Sequence, residues 1–216
     1  MDSDLIYKIA TWILPVLLAI TLHEYAHGWA ANRLGDSTAK MLGRLTINPI
    51  KHIDPIGTLL IPGLLILMSS PFLFGYAKPI PVNVNNLKEP RRDMALVAIA
   101  GPLANLAMAF AWGFIILLGM NLSDPAIAKG ITQMAFNGIL INVVLMVLNL
   151  LPLPPLDGGR VLAGIVPRNM ANMLDKIEPY GFFILIGLLV IGALDFIIGP
   201  FIGPITQFIL SIFIAA

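Results

Sequence analysis

"LIYKIATWILPVLLAITLHEYAHGWAANRLGD", residues 5–36, is apolar from Leu5 to Ala31 yet carries His23, Glu24 and His27 near its end. A helix crossing the hydrocarbon layer needs about 20 mostly apolar residues, and this run is long enough. Ser3 and Asp4 offer a helix start, and Leu34-Gly35-Asp36 a stop. The run lacks a basic leading segment and a small-residue cleavage pattern, so it is read as part of the mature chain and not as a signal peptide.

The rest of the chain extends the membrane reading. Of 216 residues, 58% are hydrophobic and 12% charged, and the mean hydropathy is +0.89, too apolar for a soluble domain of this length. The net charge of +1 offers no basic face for nucleic acid, and the lack of cysteine removes disulfides, thiolate metal sites and a thiol nucleophile. Six apolar runs stand between charges and Gly/Pro breaks: Leu5–Ala31, Gly57–Phe74, Met94–Met120, Ile131–Leu151, Gly181–Ile198 and Phe201–Ala216. They predict an all-α polytopic membrane protein with about five transmembrane helices and one re-entrant segment. No repeat or polar linker divides it, so residues 1–216 are read as one membrane domain.

His23-Glu24-Tyr25-Ala26-His27 is an H-E-x-x-H motif. Residues at i and i+4 lie one turn apart on one helix face, so both imidazoles can reach one zinc ion. Glu24, beside that face, is placed to take a proton from a metal-activated water. A single buried histidine is commonly a packing residue. Three ionisable groups within one turn of a membrane helix are costly, however, and mark a functional site.

A catalytic zinc site usually has three protein ligands and an open position. The candidates for the third are His52, in "NPIKHIDPIGT" (48–58), and the carboxylates in or beside apolar segments, Asp157 and Asp195, with Asp124 in a loop. Asp157 follows Pro152, Pro154 and Pro155, which break the fourth run. Broken backbone at membrane depth is tolerated where it is buried in protein or lines a cavity. Asp157 is therefore the preferred ligand and His52 its competitor, while an N-cap on the helix begun by "GGRVLAGIV" is the plain alternative for Asp157.

Together these residues resemble the site-2 protease family of intramembrane zinc metalloproteases. The resemblance is carried by the H-E-x-x-H, "GRLTINPIKHIDPIGT" (43–58), "GYAKPIPVN" (75–83), "AGPLANL" (100–106) and "NLLPLPPLDGG" (149–159). It implies that His23, His27 and Asp157 bind zinc, that Glu24 is the base, and that a transmembrane segment of another protein is cut within the bilayer. It also implies that Asn149 holds substrate or the oxyanion. Asn105 is a weaker candidate for similar work; an interhelical hydrogen bond is the plain alternative for both asparagines and the preferred one for Asn105. Unlike better-known relatives, this sequence has no inserted PDZ-like segment and no nucleotide-sensing domain, so regulation is expected in the membrane core or in a partner. The rival reading is a catalytically silent membrane protein that binds metal or transmembrane helices.

Topology follows from the 13 Lys and Arg. If Gly57–Phe74 crosses fully, they divide eight to five; if it dips in and returns, they divide 11 to two, leaving only Lys8 and Lys129 opposite. The positive-inside rule favours the second arrangement. The expectation is a multi-pass protein of the cell membrane with its N-terminus outside and its active site toward the cytoplasm. Residues 39–47 and 76–84 are read as short membrane-associated β-strands beside the site, the second an edge strand that a substrate could pair with, or else as interfacial loops whose lysines and arginines contact anionic headgroups.

Overall fold

The computed structural model describes residues 3–67 and 75–214. The first apolar run forms α1, Ser3–Leu34, with Pro15 inside it. It ends at Gly35, whose φ of 118° lies in the left-handed region that glycine occupies without a Cβ penalty. A short α2, Thr38–Met41, follows. Next come a 3-10 turn at Pro49–His52, a π-helical turn at Pro55–Leu60 and α3, Ile61–Leu67.

Two long helices then form α4, Pro90–Met120, and α5, Pro125–Asn149. Each has proline at its start, where the missing N–H costs nothing. Asp124 caps α5 by accepting from Ala126 N at 2.8 Å and Ile127 N at 3.0 Å. The proline-rich break leads into α6, Asp157–Ile165, then α7, Arg168–Val190, and α8, Ala193–Ile214.

Helix directions can be read from single contacts. Tyr7 OH donates to Lys129 O at 3.5 Å, and further along Asn137 Nδ2, at the middle of α5, donates to Thr11 O at 3.2 Å, so the early parts of α1 and α5 lie at one end. At the other end Lys88 N donates to Leu34 O at 3.4 Å, joining the close of α1 to the approach to α4. α1 and α5 therefore run parallel and α4 antiparallel to both, and Leu34 and Lys88 lie together at one end of the bundle. The π turn and α3 together rise at most about 20 Å, short of the roughly 30 Å hydrocarbon layer; residues 68–74 of that run lie outside the described residues.

The main core lies among α4, α5 and α8, around Trp112, Ile116, Ile139, Val143, Ile209 and Phe213. Glycines let these helices approach closely: a Cβ at Gly138 would lie 2.3 Å from Trp112, and one at Gly113 would lie 2.2 Å from Phe213. Large apolar side chains also face outward, such as Phe196 at 84% exposure and Phe183 at 71%. That pattern suits lipid as the surrounding medium.

Three expectations are corrected. Four helices, α1, α4, α5 and α8, are long and apolar enough among the described residues to cross a membrane, against the five expected. α7 falls short because its first half carries Arg168, Asp175, Lys176 and Glu178. The break between the last two runs lies at Ile191-Gly192, where Gly192 has φ 72°, and Pro200 stays inside α8. The two β-strands are absent from the described residues: 39–47 opens with α2, and 76–83 is irregular. The polar backbone groups of 76–80 are taken by other partners, so no ladder is left to form. Tyr76 N donates to Gly57 O at 3.0 Å and Lys78 N to His52 O at 3.0 Å.

Candidate metal centre

α1 presents His23 and His27 on its α4-facing side, and the proline break delivers Asp157 to them. His23 Nε2 and His27 Nε2 are 3.0 Å apart. Asp157 Oδ2 lies 3.2 Å from the first and 3.3 Å from the second. All three residues are buried. Among the described residues they form the one group of His and carboxylate side chains able to hold a metal ion.

The donor set fits zinc. Bonds of about 2.0–2.1 Å in a tetrahedral site place ligand atoms about 3.3 Å apart, close to the three observed separations. His27 Nδ1 donates to Val97 O at 2.7 Å, and His23 Nδ1 contacts Asn105 Oδ1 at 2.6 Å. With Nδ1 engaged, each neutral imidazole turns the Nε2 lone pair inward. Asp157 Oδ2 is buried with no hydrogen-bond partner. Three potential electron-pair donors converging within 3.3 Å of one another is an arrangement that a cation relieves.

Glycines make the approach possible. A Cβ at Gly101 of α4 would lie 2.4 Å from His27 Nε2 and 2.6 Å from His23 Cε1. A Cβ at Gly158 would lie 2.3 Å from Leu150 O, and one at Gly159 2.3 Å from Pro154 N, so only glycines let α6 fold back onto the break. Arg91 of α4 then holds the far end of α6, donating to Ala163 O and Val166 O at 2.7 Å each.

Residues 115–192 match the model of Peptidase family M50. Across its whole length the chain is 39% identical to "Putative zinc metalloprotease YwhC" of Bacillus subtilis strain 168, covering 97% of that protein. The chain belongs to peptidase family M50. It is also similar to "Putative zinc metalloprotease Rip2" of Mycolicibacterium smegmatis, with 35% identity over 88% of this chain and 69% of that one. Rip2 of Mycobacterium tuberculosis strain H37Rv is 32% identical over 91% of this chain and 70% of that one. No solved structure matches the chain. Membership makes it a zinc metalloprotease of the site-2 protease type, in a multi-pass helical membrane frame.

In this M50 chain a cavity of about 540 Å³ contains His23, Glu24, His27 and Asp157, with Asn149 and Tyr76 on its wall. A neighbouring one of about 260 Å³ shares Glu24 and Asn149 and is otherwise largely apolar, with Leu145, Leu148 and Leu185. Glu24 Oε2 accepts from Ile80 N at 2.7 Å. Asn149 turns its amide nitrogen back to Leu145 O at 3.0 Å.

The remaining sequence candidates lie elsewhere. His52 is buried and bonded through Nε2 to Thr46 O at 2.8 Å. Asp195 is exposed in the first turn of α8, where a carboxylate suits the helix dipole. Asn105 does make the interhelical bonds expected of it, and one of them falls on His23. Sequence reasoning missed Gly101, Val97 and Ile80. The "AGPLANL" stretch pointed at the neighbourhood of Gly101 and Val97 and "GYAKPIPVN" at that of Ile80, but nothing in one sequence says which face of α4, or which part of 75–83, turns toward α1.

Proposed function

We propose that this M50 protease hydrolyses a peptide bond inside a transmembrane segment of another membrane protein, with His23, His27 and Asp157 as the zinc ligands and Glu24 as the general base. The observation that carries this reading is the shared cavity: Glu24, with one oxygen anchored by Ile80 N, opens onto the space that the three donors line. Zinc bound there supplies Lewis-acid chemistry, lowering the pKa of water toward about 7 and polarising a carbonyl. Anchoring Oε2 leaves Oε1 of Glu24 free to accept a proton from the attacking water and to return it to the leaving amine. Asn149 is positioned on the wall to hold the scissile carbonyl or neighbouring backbone. The leucine-lined neighbour suits an apolar substrate segment.

Residues 1–216 act as one membrane domain in this reading. In the same reading the apolar run Gly57–Phe74 is re-entrant from the cytoplasmic side, which the Lys88–Leu34 contact and the 11-to-two charge division both support. The N-terminus then lies outside and the metal centre nearer the cytoplasm.

The test is cleavage of single-span peptides in detergent by the purified protein and by Glu24→Gln, with bound zinc quantified in both. Cleavage by the wild type alone, with zinc retained in the variant, is expected. A variant that cleaves as fast as wild type removes Glu24 from the base role. A zinc-loaded wild type that cleaves no segment supports the silent binding protein instead.

A further inference from the structure

A metal-binding imidazole must have its far nitrogen protonated and its near nitrogen bare. For His27 the backbone guarantees this, because Val97 O can only accept. The His23 partner is a carboxamide, and a carboxamide turned by half a revolution offers donors where it had offered an acceptor. Something must hold Asn105 the right way round.

The hydrogen bonds beyond it do so. Asn105 Nδ2 donates to Ala19 O at 3.3 Å and to Asn142 Oδ1 at 2.9 Å. Asn142 Nδ2 donates in turn to Gly138 O at 2.8 Å. Both amides are fully buried, at 0% exposure, so no water can take up a mismatched end. Backbone carbonyls never donate, and the orientation therefore propagates: Gly138 O orients Asn142, and Asn142 with Ala19 O orients Asn105.

We infer that Asn142 is a positioning residue for the metal centre, acting through Asn105 to hold His23 as the Nδ1–H tautomer with its Nε2 lone pair aimed at His27 and Asp157. The chain spans α5, α4 and α1, so the polarity of a carbonyl on α5 determines which nitrogen of a histidine on α1 is free. This rests on the proposal that His23 is a zinc ligand. It differs from simple helix-to-helix adhesion because it is directional: Asn142 matters only while position 105 has a polarity to set.

That property defines the experiment. Zinc affinity of the full-length protein in detergent is measured by chelator competition for the wild type, Asn142→Leu, Asn105→Asp and the double variant. A carboxylate at 105 accepts on both oxygens, so Asn142 becomes dispensable there. Asn142→Leu should weaken zinc binding by about 10- to 100-fold in the native background. The same change should have less than about a twofold effect, or tighten binding, when Asn105→Asp is present. Equal losses in both backgrounds assign Asn142 to packing alone, and no loss in either leaves Asn105 oriented without it; both results overturn the inference. His27→Ala separates this from the underlying reading. If His27→Ala binds zinc as tightly as wild type, the metal-centre proposal fails; if it loses zinc while Asn142→Leu does not, only the relay fails.

Discussion

The backbone N–H of Ile80 donates to Glu24 Oε2 at 2.7 Å, tying the carboxylate on α1 to the irregular segment 75–83. Ile80 is itself buried and sits over Gly28, where a Cβ would lie 2.3 Å from Ile80 Cδ1. Arg44 steadies the same segment, donating from Nη2 to Lys78 O at 3.0 Å and Pro79 O at 3.3 Å.

Arg44→Ala should therefore loosen the carboxylate without touching the metal ligands. A fall in kcat of about tenfold with zinc content unchanged is expected, smaller than the 10²- to 10⁴-fold loss typical of removing a general base, as in Glu24→Gln. Cleavage rates and metal analysis on both variants check this. An Arg44→Ala protein with wild-type kcat would detach segment 75–83 from the positioning of Glu24.

Gly101 has no room for a methyl group beside the two histidines. Gly101→Ala should weaken zinc binding by at least about tenfold, because either α4 or the imidazoles must move. Gly130→Ala, where a Cβ meets nothing within 4 Å, is the control. It should leave zinc binding unchanged and stabilise α5 by up to about 1 kcal/mol. Chelator competition and thermal unfolding of the two variants report both effects.

Asp36 gives an acid limit to stability outside the spanning helices. Burial opposes its charge, but hydrogen bonds from the side chains of Thr38 and Asn86 and the backbone N–H groups of Asn83 and Thr38 outweigh burial and lower its pKa. The folded value lies below the unfolded one. Its contribution is therefore complete above roughly pH 5 and disappears as pH falls through the folded value. Wild type should exceed Asp36→Asn by about 1–3 kcal/mol at pH 7. The gap should be unchanged at pH 5 and narrow at pH 3, measured as thermal unfolding in detergent. A gap that widens on acidification would reverse the sign.

Sidedness can be read by labelling single cysteines with a membrane-impermeant thiol reagent. Cysteines at Lys51 and Lys88 should label from the same face and one at Lys129 from the other. Opposite faces for Lys51 and Lys88 would mean that residues 35–89 cross the bilayer.

Much of the site was legible in the sequence because its signals are local. The i, i+4 spacing of His23 and His27 is set by one helical turn, and the three prolines before Asp157 mark broken backbone in an apolar stretch. The helix ends were less legible. α4 begins at Pro90, ahead of the Met94 boundary expected from hydropathy, because Arg91, Arg92 and Asp93 extend the helix beyond the apolar run. Pro200 stands between two apolar runs in the sequence, yet it lies inside α8, because a proline in an apolar helix is tolerated where neighbours take up the freed backbone groups. The turn falls at Gly192, inside the expected run Gly181–Ile198. Segment 76–84 read as a strand because its composition is extended, but a strand exists only with a partner, and here the available N–H and C=O groups bond to Glu24, His52, Gly57 and Arg44.

By itself, the sequence determined that the chain is an apolar, multi-pass helical one, that it carries an H-E-x-x-H turn with two histidines on one helix face and Glu24 beside them, and which broken segment could complete a metal site. These follow from hydropathy and periodicity, which act over neighbouring residues. Only the tertiary structure decided that Gly101 and Val97 back the histidines, that Ile80 holds Glu24, and that Asn142 reaches His23 through Asn105. Helices apolar on every side have no polar stripe to reveal which face turns inward. In lipid that choice is made by close packing at glycines and by buried amides finding partners, both of which depend on residues far apart in the chain.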